Sequence, residues 1–409
     1  MSAGRTRILI LGAGPAQLPL VKRAKARGLH VTVVAGAAGE PALAHADRAR
    51  VLDLRDEEAL VALARQIEPH AVATTGTDVP VRALGRLVAE FGLPGPSLSA
   101  TRLCTDKLAM KRRFHECGVP CARSRAVRTR AQAERALAQL GLPAFLKIAE
   151  GSGSRGLTRI DSAGQLDAAW EYARRSSRTS ELLLEAYLPG PEAGVTALVW
   201  NGALRWCLPY NDTSTRGPHP TPIGHSLPFQ FPALAAQIES LMALAVRALG
   251  IDDCMLNADL ILTPQGPRML EIAVRLGATC MPELMAFHTG VDPFDCVIDL
   301  ALGLRPVLML PPRSAPCAAL LLRAPGSGQL RQLTVPDHVR QDPALLALEW
   351  DKRCGDRVRS FRSGQDRIGA LMVAAPSWQQ AQAHCAHLAC QLTVELVPEA
   401  ADAPACASV

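Results

Sequence analysis

The stretch from Met255 to Gly277, MLNADLILTPQGPRMLEIAVRLG, constrains the fold of this 409-residue chain more than any other part. Two apolar, strand-like runs flank TPQGP, a cluster of turn formers, and this pattern predicts a β-hairpin. Each run carries one carboxylate where a bare charge is costly: Asp259 between Ala258 and Leu260, Glu271 between Leu270 and Ile272. A turn centred on Gln265 sets Asp259 directly opposite Glu271, and paired residues on neighbouring strands share a face. Like charges so placed repel and shift each other's proton affinity. A divalent cation relieves the repulsion, and Mg²⁺ suits the pair best because it takes hard oxygen ligands and bridges carboxylates to phosphates. The bland alternative pairs one acid with Arg275 or Arg268 and turns the other to solvent.

The first hundred residues alternate strand and helix. RILILG is a short apolar strand, PLVKRAKARG a helix closing at Gly28, and HVTVVAG a second strand. EEALVALARQIE is an amphipathic helix, followed by the strand AVATTG and the helix VPVRALGRLVAEFG. This rhythm predicts a parallel sheet covered by helices on both faces, with ligands at the carboxyl ends of its strands. It is not a dinucleotide site. Gln17 replaces the third glycine after Gly12-Ala13-Gly14, and Ala35-Gly36 stand where a ribose-binding acid is required.

GLPGPSLSATR, 92–102, reads as a linker, followed by a helix from near Thr105 to Gly118. After a further helix come the strand AFLKIA, the glycine-rich loop EGSGSRG, the returning strand LTRI and the buried strand ELLLEAYL. NDTSTRGPHPTPIGHSLP reads as a long irregular loop, and its His219 and His225 as ordinary loop histidines, with substrate contact as the alternative. LAAQIESLMALAVRALG is a strong helix. From about Pro306 an α+β tail begins: the hairpin-like CAALLLRAPGSGQLRQL, the strand RIGALMVAA, the helix SWQQAQAHCAHLACQL and the strand TVELV, with a frayed end. Three units follow: an α/β domain at 1–100, a central domain at 101–305 with a lid at about 122–190, and a C-terminal α+β domain at 306–409.

Composition excludes some partners. Aromatics at 4% argue against a base-stacking nucleic-acid platform, and the net charge of +6 is spread with no dense basic block. The first apolar run, Ile8 to Leu11, is too short for a signal segment, and no span reads as a membrane crossing. Twelve scattered cysteines without a C-x-x-C read as reduced thiols rather than a zinc site or disulfides. A cytoplasmic protein without nucleic-acid or membrane partners is expected.

Lys147 lies in an apolar strand just before Gly151-Ser152-Gly153-Ser154-Arg155-Gly156, and a strand follows, so this is no P-loop. Such a hairpin tip can lay N–H groups over phosphates and close as a lid, with the lysine as a point charge. Alone it is as readily a plain turn.

In their order, Thr105-Asp106-Lys107, FLKIAEGSGSRG, LLLEAYLPGPE, ADLIL and EIAVRLGA resemble the motifs of the ATP-grasp superfamily of carboxylate–amine (or thiol) ligases. The resemblance covers nearly the whole chain. It implies an N-terminal parallel-sheet pre-ATP-grasp domain, an ATP-grasp fold of two α+β subdomains clasping ATP, and a small α+β tail. It also implies that Lys107 and Lys147 bind phosphates, with Ser152, Gly153, Ser154 and Gly156 forming the phosphate lid. Glu185, Ala186 and Leu188 then form the adenine hinge, and Glu192 bonds the ribose hydroxyls. Asp259 and Glu271 hold Mg²⁺ (Mn²⁺ as a substitute), while Arg275 holds the substrate carboxylate or steadies developing negative charge. Two departures stand out: Ala273 replaces a frequent Asn ligand, and the hinge's double acid is reduced to Glu185-Ala186.

GSGSRGL, EIAVRLGA and DRIGALMVAAPSWQQAQ look most like L-amino-acid (dipeptide) ligases. The implied activity is ATP-driven activation of a small carboxylate, such as an amino acid, as an acyl phosphate. An amine (or ammonia or a thiol) then attacks, with release of ADP and phosphate, and Arg275 and Lys147 are the catalytic residues. Small molecules are the implied partners, and a homodimer is the ordinary assembly of soluble enzymes. The alternatives are a carboxylase-like member using bicarbonate through carboxyphosphate, and a non-catalytic nucleotide-binding regulator.

Overall fold

A computed structural model describes residues 5–398 apart from 152, 154, 216 and 309–314. At the N-terminus, Arg48–Val51, His30–Ala35, Arg7–Leu11 and Ala71–Ala73 form a parallel sheet in that order. Parallel strands are buried on both faces, which is why Ile8 to Leu11 is an unbroken apolar run. Leu9 and Leu11 pack against the helices Glu57–Ile67 and Val81–Phe91, and Ile8 and Ile10 against Leu18–Ala26 and Pro293–Ala301. At the end of the first strand, Gln17 fills the turn with its own side chain. Its Oε1 accepts from Gly14 N at 3.0 Å and its Nε2 donates to the Thr75 carbonyl, so the turn closes on itself.

The expected linker at 92–102 is partly a helix, Leu98–Cys104. The Gly, Pro and Ser that suggested a linker end at its N-cap, where Ser97 Oγ accepts from Ala100 N at 3.1 Å. The next helix runs Lys107–Glu116 with Asp106 as its cap. The lid is a four-stranded antiparallel sheet in the order Ser124–Val127, Leu182–Ala186, Ala144–Ile148, Thr158–Ile160. The helices Arg130–Leu140 and Leu166–Ser176 cover it.

The central element is an eight-stranded antiparallel sheet. Its order is Gly266–Ala273, Cys254–Thr263, Glu192–Trp200, Ala203–Ser214, Pro222–Leu227, Cys317–Arg323, Arg367–Ala374, Leu345–Trp350. Two sequence expectations are corrected here. The supposed irregular loop at 211–228 is mostly strand: the end of Ala203–Ser214 and all of Pro222–Leu227, paired through Asn211↔Ser226 and Asp212↔His225. CAALLLRAPGSGQLRQL is not a hairpin either. Cys317–Arg323 joins the large sheet, while Gly328–Thr334 pairs with Arg357–Val358 and Thr393–Pro398 in a separate three-stranded sheet. Turn chemistry alone could not reveal that the two strands belong to different sheets. The expected frayed end, PEAADAPACASV, lies outside the described residues apart from its first proline.

Contrary to expectation, one run, Pro232–Leu249, is long and apolar enough to cross a membrane by length and composition. Here it is a core helix: Ile238, Leu241, Met242, Ala245, Val246 and Leu249 pack against Val195, Ala197, Ala258, Leu260 and Ile272 on the back of the large sheet. None of the described cysteines is paired in a disulfide.

Candidate active site

Strand alternation sends the apolar residues of the large sheet to that helix and leaves a polar front face. The hairpin pairs Asp259 with Glu271, as its sequence predicts, but by a different route. Near the turn the pairs are Thr263↔Gly266, Leu262↔Pro267, Ile261↔Arg268 and Leu260↔Met269, which centres the turn between Pro264 and Gln265. A β-bulge then leaves Leu270 unpaired and brings the two acids opposite each other. The same register places Asn257 opposite Ala273. An amide thus faces the position where Ala273 stands in place of the frequent Asn, delivered from the partner strand.

Asn257 Nδ2 donates to Asp259 Oδ1 at 3.1 Å, and Asn257 Oδ1 accepts from the Tyr210 hydroxyl at 2.7 Å. Tyr210 pairs with Gly194, and a Cβ at Gly194 would lie 2.0 Å from its ring. The missing side chain lets the phenol lie across the intervening strand and reach Asn257. At Gly277 an added Cβ would come within 2.8 Å of Asn257 Oδ1, so a second glycine makes room for that amide.

Electrostatics separate the two acids. Burial, the facing Glu271 and nearby Asp212 push the Asp259 carboxyl well above the usual carboxylate range. For Glu271 burial acts in the same direction, but Lys107 and Lys147 outweigh it and hold the carboxyl below its ordinary value. Lys107 Nζ lies 3.0 Å from Glu271 Oε2 and donates to the Gly151 carbonyl at 2.6 Å, tying the hairpin to the lid loop.

A second cluster lies under the lid. Glu185 is ion-paired with Lys147, and its Oε1 lies 2.9 Å from Lys111 Nζ, which also donates to the Met269 carbonyl at 3.2 Å. The side chains of Lys111 and Glu185 are 2% and 3% exposed, so both ions are buried. Burial opposes ionisation of Glu185, yet the two lysines pull its pKa down to about 2. Burial depresses Lys147, with Glu185 opposing and Lys111 reinforcing the shift.

These clusters open on one cavity of about 2030 Å³. Lys107, Lys147, Gly153, Glu185, Ala186, Leu188, Glu192, Asp259, Glu271 and Arg275 all line it. Gly156 is buried beside Ile148 with φ +69°, and the expected lid residues Ser152 and Ser154 lie outside the described residues. Glu192 accepts from Ser214 Oγ at 2.6 Å, and burial pushes its carboxyl up. Arg275 pairs with neither hairpin acid. Its Nε donates to Asp78 Oδ1 at 2.7 Å, binding the central domain to the N-terminal loop Gly76-Thr77-Asp78 that also lines the cavity.

Sequence reasoning missed Tyr210, Asp212 and Asn257, and read His225 as a loop residue. His225 sits on a strand with its Nδ1 against Asp212 Oδ1, and both line the cavity. The period-two spacing Asn257/Asp259 and Tyr210/Asp212 was the available signal, since residues two apart share a face. His219 does sit in a connection, and its Nδ1 meets the Leu157 carbonyl of the lid at 2.6 Å.

The donor set suits a hard divalent cation: two facing carboxylates, one of them short of compensating positive charge, in a cavity with room for phosphate oxygens. Among the described residues no group of three or more His, Cys, Asp or Glu could hold a metal ion, so the remaining ligands would come from substrate and water.

A hairpin of paired acids, a lysine-bearing sheet over it and an α/β domain line one cavity. Residues 106–195 match the carbamoyl-phosphate synthase L chain ATP-binding domain, and residues 320–397 match L-amino acid ligase C-terminal domain 2. The chain is similar to the ATP-grasp superfamily, and its C-terminal match is to the L-amino-acid ligase branch. The L-amino acid ligase structure from Bacillus licheniformis superposes with a TM-score of 0.84 at 19% identity, over 96% of this chain and 99% of that one. Among sequence relatives, the uncharacterized protein y4rH of Sinorhizobium fredii is 28% identical over 75% of this chain and 64% of its own length. The formate-dependent phosphoribosylglycinamide formyltransferase of Xanthomonas campestris is 32% identical over 44% of this chain and 45% of its own length. The chain therefore spans less than two thirds of the length of these two relatives.

Proposed function

We propose that this protein is an ATP-dependent ligase that activates a small carboxylate, such as an amino acid, as an acyl phosphate and joins it to an amine. The observation that carries the reading is the Asp259↔Glu271 pair beside Lys107 on the wall of a cavity large enough for a nucleotide and a second substrate. Asp259 and Glu271 would hold Mg²⁺, with Asn257 bracing Asp259. The ion supplies charge neutralisation on the transferring phosphoryl group.

The chain's own residues do the rest. Lys107 and Lys147 attract the phosphates, and the backbone of Ala186 and Leu188 with the Glu192 carboxylate positions the nucleoside. The 151–156 loop shields the acyl phosphate from water. Arg275, held in place by Asp78, faces the acyl oxygen and steadies the tetrahedral oxyanion when the amine attacks.

The test is ADP release from Mg·ATP against single L-amino acids, pairs of them, other small carboxylates and bicarbonate, with Glu271→Gln as control. Release that needs a carboxylate plus an amine, and is absent in the control, supports the reading. Release with bicarbonate alone moves the protein to the carboxylase-like alternative. Nucleotide binding with no release under any condition contradicts the ligase reading.

A further inference from the structure

Amide formation needs a proton acceptor, because an α-amine near neutral pH is still largely an ammonium ion. The groups assigned so far cannot serve. Lys107, Lys147 and Arg275 are cations paired with carboxylates, and Asp259 and Glu271 face the metal position. Among the described residues lining the cavity, His225 carries the one imidazole.

Strand pairing sets His225 opposite Asp212, and the carboxylate meets Nδ1 of the ring. A carboxylate at Nδ1 selects the tautomer with its proton there and leaves the Nε2 lone pair free to accept. Both side chains are held firmly, 7% and 8% exposed. The ring meets Tyr210 edge-on with centroids 5.0 Å apart, and Tyr210 is joined through Asn257 to Asp259. The imidazole therefore stands one aromatic ring away from the side chains that brace the metal acids.

Asp212 and Tyr210 are the titratable groups that face it. The strand on its other side places Ala319 opposite, and the helix Trp378–Gln391 offers the cavity the uncharged Trp378 and Gln382. Gln382 Nε2 donates to Ser226 and Thr213, fixing the two strands that carry the pair.

We propose that His225, oriented by Asp212, is the general base of the amide-forming step; the proposal rests on the ligase reading above. Nε2 takes one proton from the bound ammonium, giving an imidazolium beside Asp212. The freed nitrogen lone pair forms the C–N bond at the acyl carbon, and the tetrahedral oxyanion collapses as the C–O bond to phosphate breaks. Phosphate leaves with the bonding electrons, and the surplus N–H proton passes to it.

Hydroxylamine separates this role from a structural one, because it is mostly uncharged near neutral pH and needs no base. Wild type and His225→Gln are assayed with Mg·ATP and the standard L-amino acids as carboxylates. One arm uses hydroxylamine as the nucleophile and the other uses L-amino acids. The variant should keep hydroxamate formation near the wild-type rate and lose dipeptide formation by about 10²–10⁴-fold. Raising the pH should restore its dipeptide rate as free amine accumulates. Asp212→Asn, which removes the tautomer choice, should shift the two arms in the same direction with a smaller loss. Equal loss in both arms, or no loss in either, overturns the proposal. If wild type forms neither hydroxamate nor ADP with any carboxylate, the ligase reading itself fails, and the base with it.

Discussion

Two clusters of charge line the same cavity, and their balances are opposite. Under the lid, Lys111 and Lys147 share the single carboxylate of Glu185, leaving one surplus positive charge. On the hairpin, Asp259 faces Glu271 and Lys107 pairs with Glu271, which leaves Asp259 short of positive charge. The first cluster is complete as a structural unit, because each ion has a partner and Lys111 and Glu185 are almost fully buried. Its leftover charge suits an anionic phosphate. The second is incomplete, since Asp259 has an amide and a like charge as neighbours but, among the described residues, no cation bonded to it. The metal–nucleotide complex we propose would supply what each cluster lacks.

The largest expected effect breaks the hairpin side. Glu271→Gln should lower carboxylate-dependent ADP release by roughly 10³-fold or more, since several kcal/mol of charge stabilisation go with the metal. Its cost in melting temperature should be smaller than for a break on the lid side, because one lysine, Lys107, loses its counter-ion while the charge facing Asp259 is relieved. The lid side should behave the other way. Glu185→Gln leaves two buried lysines without a counter-ion and should cost about 3–5 kcal/mol in chemical denaturation.

The pH response sharpens the contrast. Glu185 is held at about 2 in the fold, below its ordinary 4.5, so it contributes stability at neutral pH. That contribution should fade as pH falls from the ordinary value toward the folded one. Acid denaturation of wild type should show this loss, and Glu185→Gln should be flatter over the same range. Arg275→Ala should cost on the order of 10² in turnover, as for loss of an oxyanion donor, with little change in nucleotide affinity. Smallest is Tyr210→Phe, which removes one hydrogen bond to Asn257. It should weaken metal binding by about 1 kcal/mol, read as a several-fold rise in the metal Kd.

The parts of this site legible in sequence were those fixed by local pattern. Two apolar runs about a turn gave the acid pair, although the bulge at Leu270 was invisible and a misplaced turn centre happened to offset it. Lys107, Lys147, Glu185, Ala186 and Leu188, picked out by the motif order, line one cavity. What stayed hidden depended on distant partners. Lys111, four residues after Lys107, gave no signal of its own because only the fold brings Glu185 and the Met269 carbonyl to it. Asn211 to Leu227 looked like loop because the front of the large sheet is polar by necessity, so its strands carry Asn, Asp, Thr, His and Ser in place of apolar alternation. Cys317–Arg323 joins that sheet beside a strand some ninety residues earlier, a pairing no turn signal announces.

The most direct test of the central claim is a Mn²⁺ titration, read by electron paramagnetic resonance of the free ion, with a non-hydrolysable ATP analogue present. Wild type should take up the ion with the nucleotide, Glu271→Gln and Asp259→Asn should lose that uptake, and a variant remote from the hairpin, Arg23→Ala, should keep it. Equal Mn²⁺ uptake by wild type and both acid variants would contradict the account.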